Sequence, residues 1–313
     1  MRIYNPELRI LASQMPSFDL KDIDKSRLEL AGMMTLLQGE ETGQCSDDIV
    51  ISDLIIPGLT GEPSVKLRLY TPQTKTKGLG CYLNIHGGGF VMGGLELDHQ
   101  RCLTIARECR SVCVNIEYRL APEAPYPAQL NDCHAAFNWL CSDAHDLPID
   151  RNKICIGGIS AGGAIAVSLC LAIRDMGKAA ALCGLVLCYP ALDDTCHTTS
   201  MLEGEDLYIW NRQNCMDMWR CYLGTSQPES LEYAVPAKVS DLSELPPTYL
   251  SVCEHDALRD EGLQFGCRML SQGVQVEMHC FAGTVHGFDF MTTRGISATA
   301  VAEIVAFINQ QYA

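Results

Sequence analysis

Gly158-Ile159-Ser160-Ala161-Gly162 sets a serine in the pattern G-x-S-x-G. A hydroxyl is a weak nucleophile at neutral pH and needs a neighbouring base to take its proton as it attacks. The apolar run Ile154–Gly157 precedes this serine, and the small-residue stretch of Ala164, Ala166 and Val167 follows it. That context predicts a tight, strained strand-to-helix turn with the hydroxyl raised at the end of a sheet. Glycines flank the serine because side chains there would clash within the turn. The nearby helix N-terminus would favour negative charge developing at Ser160. The competing assignment is a Gly-rich nucleotide-binding turn. Neither G-x-G-x-x-G nor a following lysine supports it.

His86-Gly87-Gly88-Gly89-Phe90 directly follows another apolar run, Cys81–Ile85. In such a loop the N–H groups of Gly87, Gly88 and Gly89 can point into one cavity, and Ala161 supplies another just after the serine. Acyl transfer needs donors of this kind, because its tetrahedral intermediate puts a full negative charge on the former carbonyl oxygen. Losing one donor typically costs about 3 kcal/mol. His86 lies within this segment and reads as a loop-fixing hydrogen-bond partner rather than a base.

A nucleophilic serine on this kind of turn takes its acid and then its base from later in the chain. The histidines after Ser160 are His197, His255, His279 and His286. Only His286 follows the last predicted strand in a glycine-flanked loop, Gly283 to Phe288; His279 lies inside that strand. The preceding predicted strand, Thr248–Cys253, leads to Asp256 ahead of the next helix. Asp256 is therefore the candidate acid, while Asp260 and Glu261 read as first-turn residues favoured by the helix dipole. Asp256 would fix the tautomer of His286, and His286 would take the Ser160 proton and later activate water.

Elements able to position these groups are visible in the pattern. Short apolar runs occur at Asp48–Ile56, Ser64–Tyr70, Cys81–Ile85, Val112–Glu117, Ile154–Gly157, Leu185–Cys188, Thr248–Cys253 and Val274–His279. Between and after them lie predicted helices at Asp98–Arg110, Pro127–Ser142, Ala161–Asp175, Asp260–Gln272 and Ser297–Gln311. Such alternation predicts an α/β chain with a mostly parallel eight-stranded sheet covered on both faces. The first two runs share a short Pro-Gly turn and predict an antiparallel start. Residues 1–45 read as one or two helices with the apolar stripe Leu8, Ile10, Leu11 and Met15. Residues 194–236 carry Tyr208, Trp210, Met216, Met218, Trp219 and Tyr222 at helix-like spacing where a short connection is due. They can pack as core, or form an insertion that lies over the sheet and lines an apolar pocket. The domain expectation is therefore 1–45 as helices contributing to a cap, and 46–313 as a catalytic domain with the insertion at about 194–236.

Composition bounds the partners. The chain has 313 residues, 47% of them hydrophobic and 19% charged, as expected for one large domain or a domain with an insertion. A net charge of −15 repels nucleic acid and anionic membranes, so neither is expected as a partner. The 17 cysteines include no C-x-x-C pair, so no metal is expected; reduced thiols in the cytoplasm are the simpler reading. The run Ile154–Ile173 is long enough to span a bilayer, but its glycines fit strand, turn and helix better, so no membrane span is expected. Oligomeric state stays open: an edge strand and the last helix could pair with a second copy as a homodimer.

Taken together, His86–Phe90, Tyr118-Arg119-Leu120-Ala121-Pro122-Glu123, Gly158–Gly163, Asp256–Gly262 and His286-Gly287-Phe288 resemble the hormone-sensitive-lipase-like branch of the α/β-hydrolases, with its bacterial acetyl esterases and arylacetamide-deacetylase-like enzymes. The resemblance runs from about residue 80 to the end. It implies the α/β-hydrolase fold with a helical cap, and cofactor-free hydrolysis of short- to medium-chain acyl esters, a small-molecule substrate. By it Ser160, Asp256 and His286 take the triad roles and Gly87, Gly88, Gly89 and Ala161 the oxyanion roles. Arg119 and Glu123 match a motif expected to brace the loop near the elbow. Two departures stand out: Ile159, where an acidic residue often precedes the serine, makes the acyl site more apolar, and Ala257, where proline is usual, loosens the acid loop. An amidase or arylacetamide-type deacylase would use the same groups. A small-molecule receptor on this fold would have lost its histidine, and His286 argues against it.

Overall fold

All eight apolar runs become strands of one sheet: β1 (Ile49–Ile56), β2 (Val65–Pro72), β3 (Leu79–Ile85), β4 (Val112–Glu117), β5 (Ile149–Ile159), β6 (Leu182–Cys188), β7 (Thr248–His255) and β8 (Val276–Val285). The computed structural model describes residues 4–15, 18–38, 48–74, 76–142, 147–205, 207–225 and 233–313. Spatial order is β1-β2-β4-β3-β5-β6-β7-β8. β2 runs antiparallel to both β1 and β4, and every other pairing is parallel. The antiparallel start follows from the Pro-Gly turn, too short for a crossover helix.

The helices are α1 (Pro6–Gln14), α2 (Ile23–Gln38), α3 (His99–Glu108), α4 (Ala128–Cys141), α5 (Ala161–Asp175), α6 (Thr199–Leu202), α7 (Arg212–Leu223), α8 (Arg259–Ser271) and α9 (Gly295–Tyr312). β3 is buried along its whole length because parallel strands are covered on both faces. Phe137 of α4, Leu169 of α5 and Phe265 of α8 belong to one apolar cluster. Ile105 of α3 and Ile304 and Phe307 of α9 belong to the other. Among the described residues no helix is long and apolar enough to cross a membrane.

Three elements differ from the sequence reading. β8 begins two residues later than expected, because the Val274 N–H turns back to the Met269 carbonyl and closes α8. It also continues to Val285 through an irregularity in its pairing with β7, which delivers His286 directly at the strand end. Of α1, Leu8 and Ala12 are the buried residues, whereas Ile10, expected in the stripe, is 62% exposed. The expected boundary at residue 45 lies outside the described residues, as do 206 and 226–232 of the expected insertion. Within that insertion Met218, Trp219 and Tyr222 are buried on α7, while Tyr208 and Trp210 occupy a loop.

Candidate active site

Parallel registers bring the chemistry together. Ile85 pairs with Gly158 and Ile159 with Cys188, so the ends of β3, β5 and β6 lie side by side. Ser160 follows β5 at φ 52° and ψ −121°, a backbone conformation that side-chain-bearing residues rarely adopt. Such strain costs about 1–3 kcal/mol and persists only where neighbours over-determine it. Here they do: the Ser160 N–H donates to the Cys188 carbonyl at 2.9 Å, and the Ser160 carbonyl accepts from Gly163 and Ala191 at 2.9 and 3.0 Å. A Cβ on Gly158 or Gly162 would strike backbone carbonyls of Gly162 and of Ile85, and one on Gly163 would reach Pro190 Cβ at 2.7 Å. The elbow is closed to side chains on three sides.

Asp256 comes immediately after β7 and His286 immediately after β8. The structure brings them together with Ser160: His286 Nδ1 lies 2.7 Å from Asp256 Oδ2, and His286 Nε2 lies 3.0 Å from Ser160 Oγ. Asp256 Oδ1 accepts the Leu258 N–H at 3.0 Å. An ionised carboxylate only accepts, so Nδ1 carries the proton and Nε2 is left to accept from the serine hydroxyl. All three residues are buried, Asp256 at 2% exposure. Tyr189 meets the imidazole edge-on at 4.9 Å between ring centroids, and Trp210 lies near-parallel to it at 5.9 Å.

Opposite the histidine stands the triple-glycine loop. Gly88 and Gly89 have φ of 108° and 59°, and Gly89 lies against Trp210, whose Cη2 is 2.6 Å from where a Cβ would sit. Among the described residues the N–H groups of Gly88, Gly89 and Ala161 donate to no backbone carbonyl, so they stay available to a ligand. Gly87 is tied down from its carbonyl side: the His86 Nδ1–H donates to it at 2.7 Å, with the Tyr118 hydroxyl at 3.4 Å. The His86 ring stacks on Tyr118 at 4.0 Å, and burial lowers its pKa to about 4. His86 therefore sits as a neutral loop-fixing group.

The cavity at this centre holds about 80 Å³ and meets Ser160, His286 and Gly87 to Gly89. Met15, Phe18, Leu30 and Met33 of the N-terminal segment, Ile209 and Trp210 of the insertion, and Ile159 supply apolar wall. Tyr189 was not signalled by type or spacing; its place just past a strand end in a parallel sheet was the available clue. Arg27 was also missed. This α2 guanidinium donates to the Val91 and Ala121 carbonyls at 2.8 and 3.2 Å, and bidentately to Glu123 at 2.7 and 2.8 Å. Glu123 thus braces α2, and Arg119 bonds Asp132 and Glu62. Glu261 stands in the first turn of α8 as expected, and there it is buried and accepts the Leu192 N–H at 2.6 Å, with burial pushing its pKa up.

Comparison with known proteins adds the following. A family model described as the alpha/beta hydrolase fold matches residues 82–290. Esterase LipI of Mycobacterium tuberculosis is 33% identical over 244 residues, 77% of this chain and 75% of its own. Carboxylesterase NlhH of the same organism is 32% identical over 235 residues, 74% of this chain and 73% of its own. A bacterial heroin esterase superposes with a TM-score of 0.94 at 37% identity, covering 99% of this chain and 98% of its own. An esterase of Pyrobaculum calidifontis superposes at 0.89 with 29% identity and full coverage of both chains, 100% each.

Proposed function

Because the chain belongs to the hormone-sensitive-lipase-like branch of the α/β-hydrolase family and is a carboxylic ester hydrolase, we propose that it cleaves short- to medium-chain acyl esters through Ser160, His286 and Asp256. The hydrogen-bonded chain from Asp256 through His286 to Ser160, at 2.7 and 3.0 Å, carries this reading. Ser160 Oγ attacks the ester carbonyl carbon as its proton passes to His286 Nε2. The resulting oxyanion takes hydrogen bonds from the N–H groups of Gly88, Gly89 and Ala161, with Gly87 shaping the loop. Asp256 stabilises the imidazolium without taking its proton. The tetrahedral intermediate collapses, Nε2–H protonates the departing alkoxide, and the alcohol leaves an acyl-serine. His286 then deprotonates a water that attacks the acyl carbon, and returns the proton to Ser160 as the carboxylic acid departs.

The N-terminal helices and the described part of residues 194–236 serve as the cap over this centre, a reading supported by Leu30, Met33, Ile209 and Trp210 in the cavity wall. The preference for short acyl groups is supported by the cavity's volume of about 80 Å³ and its apolar lining. Turnover of p-nitrophenyl acetate, butyrate, octanoate and p-nitroacetanilide by wild type and Ser160→Ala tests the reading. Acetate and butyrate are expected to be the best substrates, the anilide the poorest, and Ser160→Ala at least about 10⁴-fold slower on all. Wild-type turnover in Ser160→Ala would falsify the nucleophile assignment.

A further inference from the structure

Two cavities of unequal size stand back to back across one thin wall. The active cavity holds about 80 Å³, whereas the groove between α3 and the segment from Asp289 into α9 holds about 490 Å³. Leu97 and Phe290 line both, so each presents one side to the reacting centre and the other to the groove. Beyond them the groove offers Met34, Ala298, Val301 and Val305 as aliphatic wall, with Arg101, Glu108 and Asp289 among its polar lining.

The wall is held by one cation. Leu97 precedes Asp98 and Phe290 follows Asp289, and both acids face Arg101, Asp98 Oδ1 at 3.5 Å and Asp289 Oδ2 at 2.7 Å. The Arg101 guanidinium also lies 4.9 Å from the centroid of the Phe290 ring. The backbone on each side of the partition is thus pinned, while the two side chains that close it are ordinary apolar groups. Leu97 keeps 9% exposure and Phe290 is half-buried.

We propose that Leu97 and Phe290 set the acyl chain-length limit by closing the active cavity off from this groove, which takes the distal part of a longer aliphatic acyl chain when either side chain is cut back. The inference rests on the catalytic reading above and adds the place where a longer substrate would go. An acyl tail fits because it is the substrate portion that outgrows the small cavity, and because Leu97 and Phe290 line both spaces. Each methylene moved from water onto an apolar wall is worth about four-fold in kcat/KM. Two or more methylenes admitted to the groove then change the profile by about ten-fold or more.

The test compares kcat/KM for p-nitrophenyl decanoate and butyrate in wild type, Leu97→Ala and Phe290→Ala, each wall variant with and without Val301→Trp to fill the groove. Melting curves identify the folded variants, and Phe290→Ala, being half-buried, serves should Leu97→Ala not fold. The decanoate-to-butyrate ratio is expected to rise about ten-fold on opening the wall, and to return to the wild-type ratio once Val301→Trp is added. An unchanged ratio in a folded wall variant overturns the proposal. So does a rise that Val301→Trp leaves intact, since the tail would then run past Leu30 into the outer cleft beside Arg27. Ser160→Ala is assayed alongside. Loss of turnover in Ser160→Ala together with an unchanged ratio in the wall variants sinks the groove alone, whereas turnover retained by Ser160→Ala sinks the catalytic reading.

Discussion

His286 binds two partners at once, and each fixes what the other can do. With Asp256 Oδ2 at 2.7 Å accepting from Nδ1, the lone pair on Nε2 faces Ser160 Oγ at 3.0 Å. Asp256→Asn would present an amide donor to Nδ1 and reverse the tautomer, leaving Nε2 protonated and unable to accept. The expected result is a fall in kcat of about 10⁴-fold with a folded protein and little change in KM, read by steady-state kinetics with p-nitrophenyl butyrate. His86 gives a different prediction, on stability. Burial holds its folded pKa near 4, while the unfolded side chain takes up a proton below about 6.5. Between those values the unfolded state binds more protons, so stability falls as pH drops from about 6.5 to 4. Urea unfolding across that range should show wild type losing about 3 kcal/mol more than His86→Asn. Asp98, whose pKa burial raises to about 6, contributes with the opposite sign. It does so in both proteins and drops out of the comparison.

At the scale of elements, the short β-strand ends do the positioning, and α2, which lines the cavity with Leu30 and Met33, is held in place by Arg27. That side chain ties the helix to the Val91 and Ala121 carbonyls on either side of the glycine loop's support and to Glu123. Arg27→Ala removes these bonds without touching the reacting groups. KM for p-nitrophenyl butyrate should rise several-fold with kcat within about two-fold of wild type, and stability should drop by about 1–2 kcal/mol in urea. Equal losses in kcat and kcat/KM would show instead that the arginine acts on the chemical step. Nothing in the spacing of α2 singles out Arg27, because its partners lie 64 to 96 residues away.

Across the whole molecule the cysteines behave as packing. The 16 that are described are all free, and most sit buried in strands and helices where a thiol acts as a small hydrophobe. Thermal melts with and without dithiothreitol should agree within about 1 °C; a larger drop with reductant would reveal a covalent link. The sheet itself was legible from the sequence because its strands are continuous apolar runs with β-branched residues. That signal is local, and so is the G-x-S-x-G turn, whose glycines are demanded by backbone crowding within five residues. Strand ends were less legible: β8 runs six residues past its expected end because pairing with β7, not its own composition, continues it.

What the amino-acid order settled alone was the succession of strand, turn and helix, and the few polar residues that fall just after strand ends, Ser160, Asp256 and His286 among them. Periodicity and steric demand act over neighbours, so they can be read along a line. Only the folded chain decided that Trp210 lies over the imidazole, that Leu97 and Phe290 stand between two cavities, and that Glu261 is buried under Leu192. Those outcomes depend on which surfaces meet across long stretches of chain, where the same Leu, Phe or Glu could equally have faced water.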